Sequence, residues 1–391
     1  MNLRNIALTA ALPLCLACAR PSETIPVITW AGVPPQCSAE VFPALKECGI
    51  DIHLGLYGTA GEAALALEAA QEAGMRLIPG FPQLRDSTAQ SVARFREHPA
   101  LYAWHVKDEP ETWDIPWVAE LVGKIAELDP AHPSYVNLYP NWAWGDSLYA
   151  GRIEKFASEV EVPFYSFDQY PITENEDGSV SVRPGWYRNL EEFSAMSRRH
   201  GRPFWAFALT KSHHLGPPSP EAFYPVPTLG HLRLQVFSDL LYGAQAIQYF
   251  TAGGIYDPTN HCRTSVYGIV RQVNSEIRAY SPVFLGCRVL EVRHTGDNIP
   301  EGTKKFDENS DIYGYVEKIE VSGEGGVVSL IENGGKRYVA VQNRDCVNPA
   351  ILGIRFRGNV KIVTTEGSIR FDGKPMKMEP GDVAVFYLQT I

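Results

Sequence analysis

Short apolar runs alternate with amphipathic stretches from about residue 26 to residue 284. Eight of the runs have the length of buried strands: VITWAG (27–32), IDIHLGLYG (50–58), MRLIPGF (75–81), LYAWHVKDE (101–109), SYVNLYP (134–140), PFYSFDQYP (163–171), PFWAFALT (203–210) and AIQYFTAGG (246–254). The segments between them, such as 61–74 and 118–130, carry apolar residues at helical spacing. Eight repeats of strand and helix predict an α/β fold, a parallel (β/α)8 TIM barrel.

The pattern changes after Pro282, where helical spacing stops. Short β-like runs separated by turn residues follow: RVLEVRH, GYVEKIEV, GVVSLIEN, KRYVAVQN, ILGIRFR, VKIVTTE and DVAVFYL. They predict an all-β module, a sandwich. The chain therefore divides into a leader (1–21), a barrel (22–284) and a C-terminal β-sandwich domain (285–391).

The N-terminus has the pattern of a targeting segment. Arg4 precedes an apolar stretch from residue 6 to residue 17, which is too short to span a bilayer. This stretch ends in LCLAC, which resembles the lipoprotein box of bacteria, and the resemblance implies that Cys18 is lipidated. We expect an exported lipoprotein, periplasmic or at the cell surface, that meets the membrane only through this lipid anchor.

Composition and charge narrow the choice of partners and cofactors. A formal net charge of −10 argues against a nucleic acid partner, and no feature indicates an oligomeric state. Neither a zinc-type cysteine spacing nor an HExxH, GxSxG or glycine-rich phosphate motif occurs, so we expect no metal and no organic cofactor. A Cys37–Cys48 disulfide remains an open alternative.

The fourth strand ends in Lys107-Asp108-Glu109-Pro110. Charge where a buried strand emerges is costly, and TIM barrels build their active sites at the C-terminal ends of the strands. Strand alternation places Glu109, Lys107 and His105 on the inward face. Asp108 should lean sideways, unless a β-bulge turns its side chain inward.

Other strand tips offer a second carboxylate and a set of polar and aromatic side chains. Asp168 ends the sixth strand and should face inward. The second strand offers His53 and Tyr57 on one face. The remaining inward candidates are Trp30, Asn137, Tyr139, Tyr170 and Gln248. Carboxylates, amides, phenols and an indole around one opening suit a carbohydrate substrate.

Hydrolysis of a glycosidic bond needs a protonated carboxyl group and a second carboxylate, which acts as nucleophile or as base toward water. We assign Glu109 as the acid and Asp168 as the second carboxylate. Asp108 would raise the pKa of Glu109 and Lys107 would lower it, and the sequence leaves this balance open. The other named side chains, Asp108 and Lys107 included, are expected to bind substrate hydroxyls.

The motif resembles that of clan A sugar hydrolases, the barrel clan that includes family 42 β-galactosidases. These enzymes carry Asn-Glu-Pro at the end of strand four, and its glutamate is the general acid. The phrases HVKDEP, SFDQYPI, RPFWAFALT and YPVPTLGHLRLQVFSDLLYGAQAIQYFT resemble exported, family-42-like glycosidases over most of residues 26–391. The resemblance implies a β-galactosidase-like glycoside hydrolase that degrades oligo- or polysaccharides.

One departure from the clan matters for the mechanism. The clan's nucleophile is a glutamate at the end of strand seven, where this chain has Thr210 or Ser212. Asp168 is the substitute that the sequence offers, and the assignment favours inversion, with Asp168 as base to a water molecule.

Each assignment has a structural alternative. Glu109 could form a structural ion pair with Lys107, and Asp168 could hold a loop. The alternative functions are a non-catalytic carbohydrate-binding lipoprotein on a degenerate hydrolase barrel, and a polysaccharide lyase.

Overall fold

The structure, a computed structural model, describes residues 23–143, 146–214 and 223–389. Within these residues, eight parallel strands form one sheet, and all strands are numbered along the chain. They are β1 (Val27–Trp30), β2 (Ile52–Leu56), β3 (Arg76–Gly80), β4 (Trp104–Asp108), β5 (Ser134–Leu138), β6 (Tyr165–Phe167), β9 (Phe204–Leu209) and β12 (Ile247–Phe250). Strand β1 pairs with both β2 and β12. A bridge between Leu77 of β3 and Leu101, just before β4, joins the two ends of the strand order, so the ring closes. The predicted α/β barrel is confirmed.

Helices surround this ring. Their bounds are α1 (Ser38–Glu47), α2 (Ala60–Glu72), α3 (Gln83–Asp86), α4 (Thr88–Phe95), α5 (Ile115–Leu128), α6 (Asp146–Glu159), α7 (Trp186–His200), α8 (Leu229–Tyr242) and α9 (Tyr267–Phe284). Thr59 and Glu62 form a capping box at the start of α2, which satisfies two backbone donors at the helix end. Gly201 ends α7 with φ 64°, a left-handed conformation that favours glycine over residues with a Cβ.

Three short hairpins follow barrel strands β6, β9 and β12 in the chain. They pair β7 (Ile172–Glu174) with β8 (Val180–Val182), β10 (His213–His214) with β11 (Phe223–Tyr224), and β13 (Tyr256–Asp257) with β14 (Cys262–Arg263). They extend the C-terminal side of the barrel, where the polar strand ends lie. Strands of two or three residues are too short to leave a periodic signal, and the sequence did not predict them.

The C-terminal part is a sandwich of two antiparallel sheets, as predicted. The larger contains β15 (Arg288–His294), β17 (Gly326–Asn333), β18 (Lys336–Asn343), β20 (Val360–Thr364), β21 (Gly367–Arg370) and β23 (Val383–Leu388), and the smaller contains β16 (Val316–Val321), β19 (Ala350–Phe356) and β22 (Met376–Met378). Apolar side chains such as Val328, Leu330 and Phe386 fill the space between the sheets. The runs at β21 and β22 were not predicted.

The central strands β17 and β18 of the larger sheet are buried on both faces. On β17, Val327 and Ile331 point into the barrel core while Val328 and Leu330 point into the sandwich core. Ser329 lies between them and donates a hydrogen bond to the carbonyl oxygen of Leu241 in α8 (2.8 Å). The β domain thus covers α8 and α9 of the barrel and shares one continuous core with it.

Two further observations bear on the sequence analysis. No helix among the described residues is long and apolar enough to cross a bilayer. Cys37 and Cys48 are both free, so the disulfide between them that the sequence left open is absent. Cys18 and the rest of the predicted leader lie outside the described residues.

Candidate active site

Strand β4 contains a bulge just before its polar end. The pairing register with β5 shifts between His105 and Lys107, which leaves Asp108 opposite Asn137. The Asp108 carboxylate accepts a hydrogen bond from Asn137 Nδ2 (3.2 Å) and therefore faces the barrel interior. The bulge supplies the exception that the sequence analysis allowed for Asp108. It also pairs Lys107 with Val136, a residue of the outer core. Lys107 therefore points outward, and the prediction that it faces inward was wrong.

Glu109 follows the strand in an unusual backbone conformation. Its φ is 48°, in the left-handed region that residues with a side chain rarely adopt, and its N–H donates to the Asn137 carbonyl oxygen (2.9 Å). Such a conformation costs free energy and persists where the surrounding structure imposes it, often at functional sites. The backbone geometry therefore marks Glu109 as a candidate for function.

Asn137 connects two of the three carboxylates at this end of the barrel. Its Nδ2 donates to Asp108 Oδ1 and to Asp168 Oδ1 (2.8 Å), and its Oδ1 accepts a hydrogen bond from Ser166 (2.9 Å). An asparagine amide has two donor hydrogens, and both are used within the protein. Asn137 therefore positions the carboxylates and is not available for the substrate contact that the sequence predicted.

A polar layer supports these groups from below. The Ser166 hydroxyl accepts from Gln248 Nε2 (2.8 Å), and Gln248 Oε1 accepts from the Tyr135 hydroxyl (2.8 Å). Gln248 is fully buried, so it stabilises the floor of the site and does not reach a substrate. Tyr135 was missed by the sequence analysis, although alternation from Asn137 places it on the same face.

One cavity brings the predicted acid pair together. It has a volume of about 350 Å³, and Glu109 and Asp168 both line it. Tyr139 and Tyr170 line it as predicted for substrate-binding residues, and the sequence analysis missed three others: Glu111, Trp142 and Tyr224. Trp142 and Tyr224 lie outside the eight barrel strands, where no strand or helix period reveals their orientation.

The pKa values of Glu109 and Asp168 are both raised, but their surroundings differ. Burial raises the pKa of Glu109, and the negative charges of Asp168 and Asp108 raise it further, against a smaller opposite effect of Lys107. Burial and Asp108 also raise the pKa of Asp168, but hydrogen bonds from Asn137 and Tyr170 favour its ionised form. Both pKa values are therefore raised, and Asp168 receives hydrogen bonds that favour its ionised form.

Two predicted residues line a neighbouring cavity of about 430 Å³ instead. Tyr57 and His105 both border it, and neither Tyr57 Oη nor His105 Nε2 has a hydrogen-bond partner. Tyr57 is only 5% exposed, so it does not offer the predicted ring surface to a sugar. The expected orientation of β2 was wrong, because His53 packs against Phe42 of α1 outside the ring.

Trp30 and the end of strand seven complete the rim. Trp30 faces inward as expected, and its ring centroid lies 5.7 Å from that of Phe250 in a cluster that includes Tyr170. At the end of β9, Leu209 joins that cluster and Thr210 donates to the carbonyl oxygen of Thr251 (2.9 Å). Strand β9, the seventh strand of the barrel, therefore contributes no carboxylate to the site. Among the described residues, no group of three or more His, Cys, Asp or Glu is arranged to hold a metal ion.

Comparisons with solved structures find similarities at low sequence identity. The α-glucosyl transfer enzyme XgtA has a TM-score of 0.52 at 9% identity, covering 94% of this chain and 99% of that chain. A β-amylase catalytic domain from Paenibacillus polymyxa (TM-score 0.44, 7% identity) covers 66% of this chain and 100% of its own. A GH10 xylanase from Thermobacillus composti (TM-score 0.43, 12% identity) covers 63% and 96%.

Of these three, only XgtA exceeds a TM-score of 0.5, and at 9% identity it shows a common fold that extends over the barrel and the β domain. No family model and no curated protein matches the sequence. The class defined so far is thus a TIM barrel with a β-sandwich domain and a cluster of carboxylates at the C-terminal ends of its strands.

Proposed function

We propose that this protein is a glycoside hydrolase whose catalytic pair is Glu109 and Asp168. The observation that carries the proposal is that both carboxyl groups, from the ends of different strands, line one cavity, where Asn137 donates a hydrogen bond to Asp168. Paired carboxyl groups with distinct roles are what hydrolysis of an acetal requires.

In the proposed reaction, protonated Glu109 donates its proton to the glycosidic oxygen as the bond from that oxygen to the anomeric carbon breaks. Ionised Asp168 removes a proton from a water molecule, whose oxygen bonds to the anomeric carbon on the opposite face of the sugar. This assignment gives inversion of configuration. NMR detection of the first-formed anomer tests it, and a product of retained configuration would make Asp168 a nucleophile instead.

The rest of the cavity supports a sugar as the bound group. Tyr139, Tyr170 and Trp142 bring aromatic surface and phenol hydroxyls to a space that is also lined by three acidic side chains. Aromatic rings pack against the C–H faces of sugars, and carboxylates accept hydrogen bonds from their hydroxyls. The resemblance to family 42 makes β-galactosides the first substrates to test.

The proposal extends to location. If Cys18 carries a lipid, the anchor precedes β1 by a few residues, and the N-terminal end of β1 lies opposite the strand ends that form the cavity. The active site would then open away from the membrane, toward large external glycans. Labelling with a fatty acid in the native host tests the anchor. Equal labelling of wild type and Cys18→Ser would contradict it.

The direct experiment is a screen of nitrophenyl glycosides, beginning with the β-galactoside, together with plant and host glycans followed by chromatography. Turnover by wild type and none by Glu109→Gln would support the proposal. Turnover that survives in Glu109→Gln would remove Glu109 from the acid role.

A second candidate is a non-catalytic carbohydrate-binding protein, and the absence of a carboxylate at the end of β9 favours it. It predicts sugar binding by calorimetry without any turnover in the same screen. A polysaccharide lyase would instead release unsaturated products that absorb ultraviolet light, which hydrolysis does not produce.

A further inference from the structure

A groove of about 880 Å³ lies where the barrel meets the β domain. One wall comes from the β7–β8 hairpin and from residues 225–231 at the start of α8. The other comes from β-domain loops at 298–301 and 344–348. None of the residues assigned to catalysis lines this groove.

The groove and the catalytic cavity are neighbours. Arg183 lines the groove, and its guanidinium carbon lies 5.4 Å from the ring centroid of Tyr224 and 5.9 Å from that of Trp142. Both rings line the catalytic cavity. A single layer of side chains therefore lies between the two spaces.

The groove contains polar groups that the protein leaves unsatisfied. His231 lines it, is only 5% exposed, and its Nδ1 has no hydrogen-bond partner. Arg183 Nε is also buried without a partner. Burial lowers the pKa of His231 to about 4, so at neutral pH its ring is uncharged and can both donate and accept. Such a group suits a hydroxyl, which also does both.

The charge around the groove selects against anionic ligands. The acidic side chains that line it are Glu174, Glu301, Glu324 and Asp345. Of the two arginines, Arg344 is already bound to the carbonyl oxygens of Asn298 and Glu324. Exposed apolar surface from Val226 and Val347 completes the walls.

We propose that this groove binds a neutral oligosaccharide that extends beyond the bond cleaved in the catalytic cavity. The inference rests on the proposed hydrolase function and deepens it: the substrate is an uncharged glycan chain, and the β domain helps to bind it. The acidic side chains of the walls outnumber the arginines and disfavour uronate-rich or sulfated chains.

The test fills the groove from the β-domain side. Val347→Trp places a large side chain in the groove, and Ile351→Trp is the matched control, an equally exposed residue of the same domain outside the groove. The probes are neutral hexasaccharides of the galacto, gluco, manno and xylo series, an oligogalacturonate, and the nitrophenyl monosaccharides. Both kcat/KM and the Kd by calorimetry are measured for each variant.

Val347→Trp should lower the ratio of kcat/KM on the best neutral hexasaccharide to that on its nitrophenyl monosaccharide about tenfold, about 1.4 kcal/mol. It should raise the hexasaccharide Kd by a similar factor, and Ile351→Trp should change neither. An unchanged ratio and Kd, or oligogalacturonate bound as tightly as the neutral chains, would overturn the groove assignment.

The binding arm separates this inference from the proposed function. If no probe is cleaved but a neutral hexasaccharide binds wild type and binds Val347→Trp more weakly, the groove stands and the hydrolase fails. If cleavage occurs without any effect of Val347→Trp, the hydrolase stands and the groove fails. If no neutral hexasaccharide binds at all, the groove assignment is wrong.

Discussion

Carboxyl groups are withdrawn from water both at the barrel opening and on α8, with different consequences. At the barrel opening, Glu109 and Asp168 line one cavity, and Asp168 accepts hydrogen bonds from Asn137 and Tyr170. On α8, Asp239 is only 1% exposed, and neither of its oxygens has a hydrogen-bond partner. Burial raises the pKa in all three.

The comparison teaches that a raised pKa alone does not mark a catalytic group. Desolvation acts wherever a carboxyl group is buried, whether or not a substrate can reach it. The barrel opening differs in three ways: there is space beside the carboxyl groups, a second acid lines that space, and Asn137 donates a hydrogen bond that favours the ionised form of Asp168. We expect mutations in the two regions to separate activity from stability.

Glu109→Gln should have the largest effect, a loss of kcat of about a thousandfold or more, because the general acid is removed. The free energy of unfolding at pH 8 should not fall, since a raised pKa means that the folded state disfavours the ionised group. Steady-state kinetics and thermal unfolding measure both. Retention of more than a tenth of the wild-type rate would contradict the assignment.

Asn137→Ala should lower kcat by about a hundredfold. Loss of its hydrogen bond to Asp168 raises the pKa of Asp168 further, so the acidic limb of the pH–rate profile should move to higher pH. Asn274→Ala is the matched control, a buried asparagine that bonds Tyr249 outside the ring. Both should lower the Tm, but only Asn137→Ala should move the pH profile; a shift in both variants would make the effect a general loss of packing.

Asp108→Asn recreates the Asn-Glu-Pro motif of clan A and removes a negative charge beside Glu109. The pKa of Glu109 should fall, so the alkaline limb of the pH–rate profile should move to lower pH by up to about one unit. The maximal kcat should change less than in the two variants above. An unmoved alkaline limb would show that Asp108 does not control the protonation of Glu109.

Asp239→Asn should have the smallest effect on activity. The folded-state pKa of Asp239 lies above the value of about 3.9 in the unfolded chain, so its stabilising contribution is complete below that pH and is lost as pH rises through the folded pKa. As pH rises from about 5 to about 8, the free energy of unfolding should therefore fall less in the variant than in wild type. Thermal unfolding across this range, with the exposed Asp372→Asn as control, measures the difference. Parallel curves for wild type and Asp239→Asn would contradict it.

The sequence predicted the architecture well because apolar runs report burial directly. The barrel strands and the strands at RVLEVRH, GVVSLIEN and KRYVAVQN lie where the pattern placed them. The inward positions of Asn137, Asp168 and Gln248 also followed from alternation. Alternation depends only on neighbours in the chain, so it transfers from sequence to structure wherever a strand is regular.

The details of the site depended on neighbours that are distant in sequence. The bulge in β4 changes which side chains face inward without changing the apolar pattern, and it misplaced Lys107. Asn137 and Gln248 were expected to bind substrate, but partners from other strands use their hydrogen bonds. On β2, Ile52 and Leu54 fill the barrel interior, so Tyr57 lies on the outward face with His53, opposite to the face that was predicted.

The central claim is that Glu109 protonates the leaving group, and the most direct test compares leaving groups of different basicity. Hydrolysis of a dinitrophenyl glycoside needs little protonation, whereas release of a sugar alcohol depends on it. Glu109→Gln should lose at least about a hundredfold more kcat/KM on the natural linkage than on the dinitrophenyl glycoside. An equal loss on both substrates would show that Glu109 is not the acid.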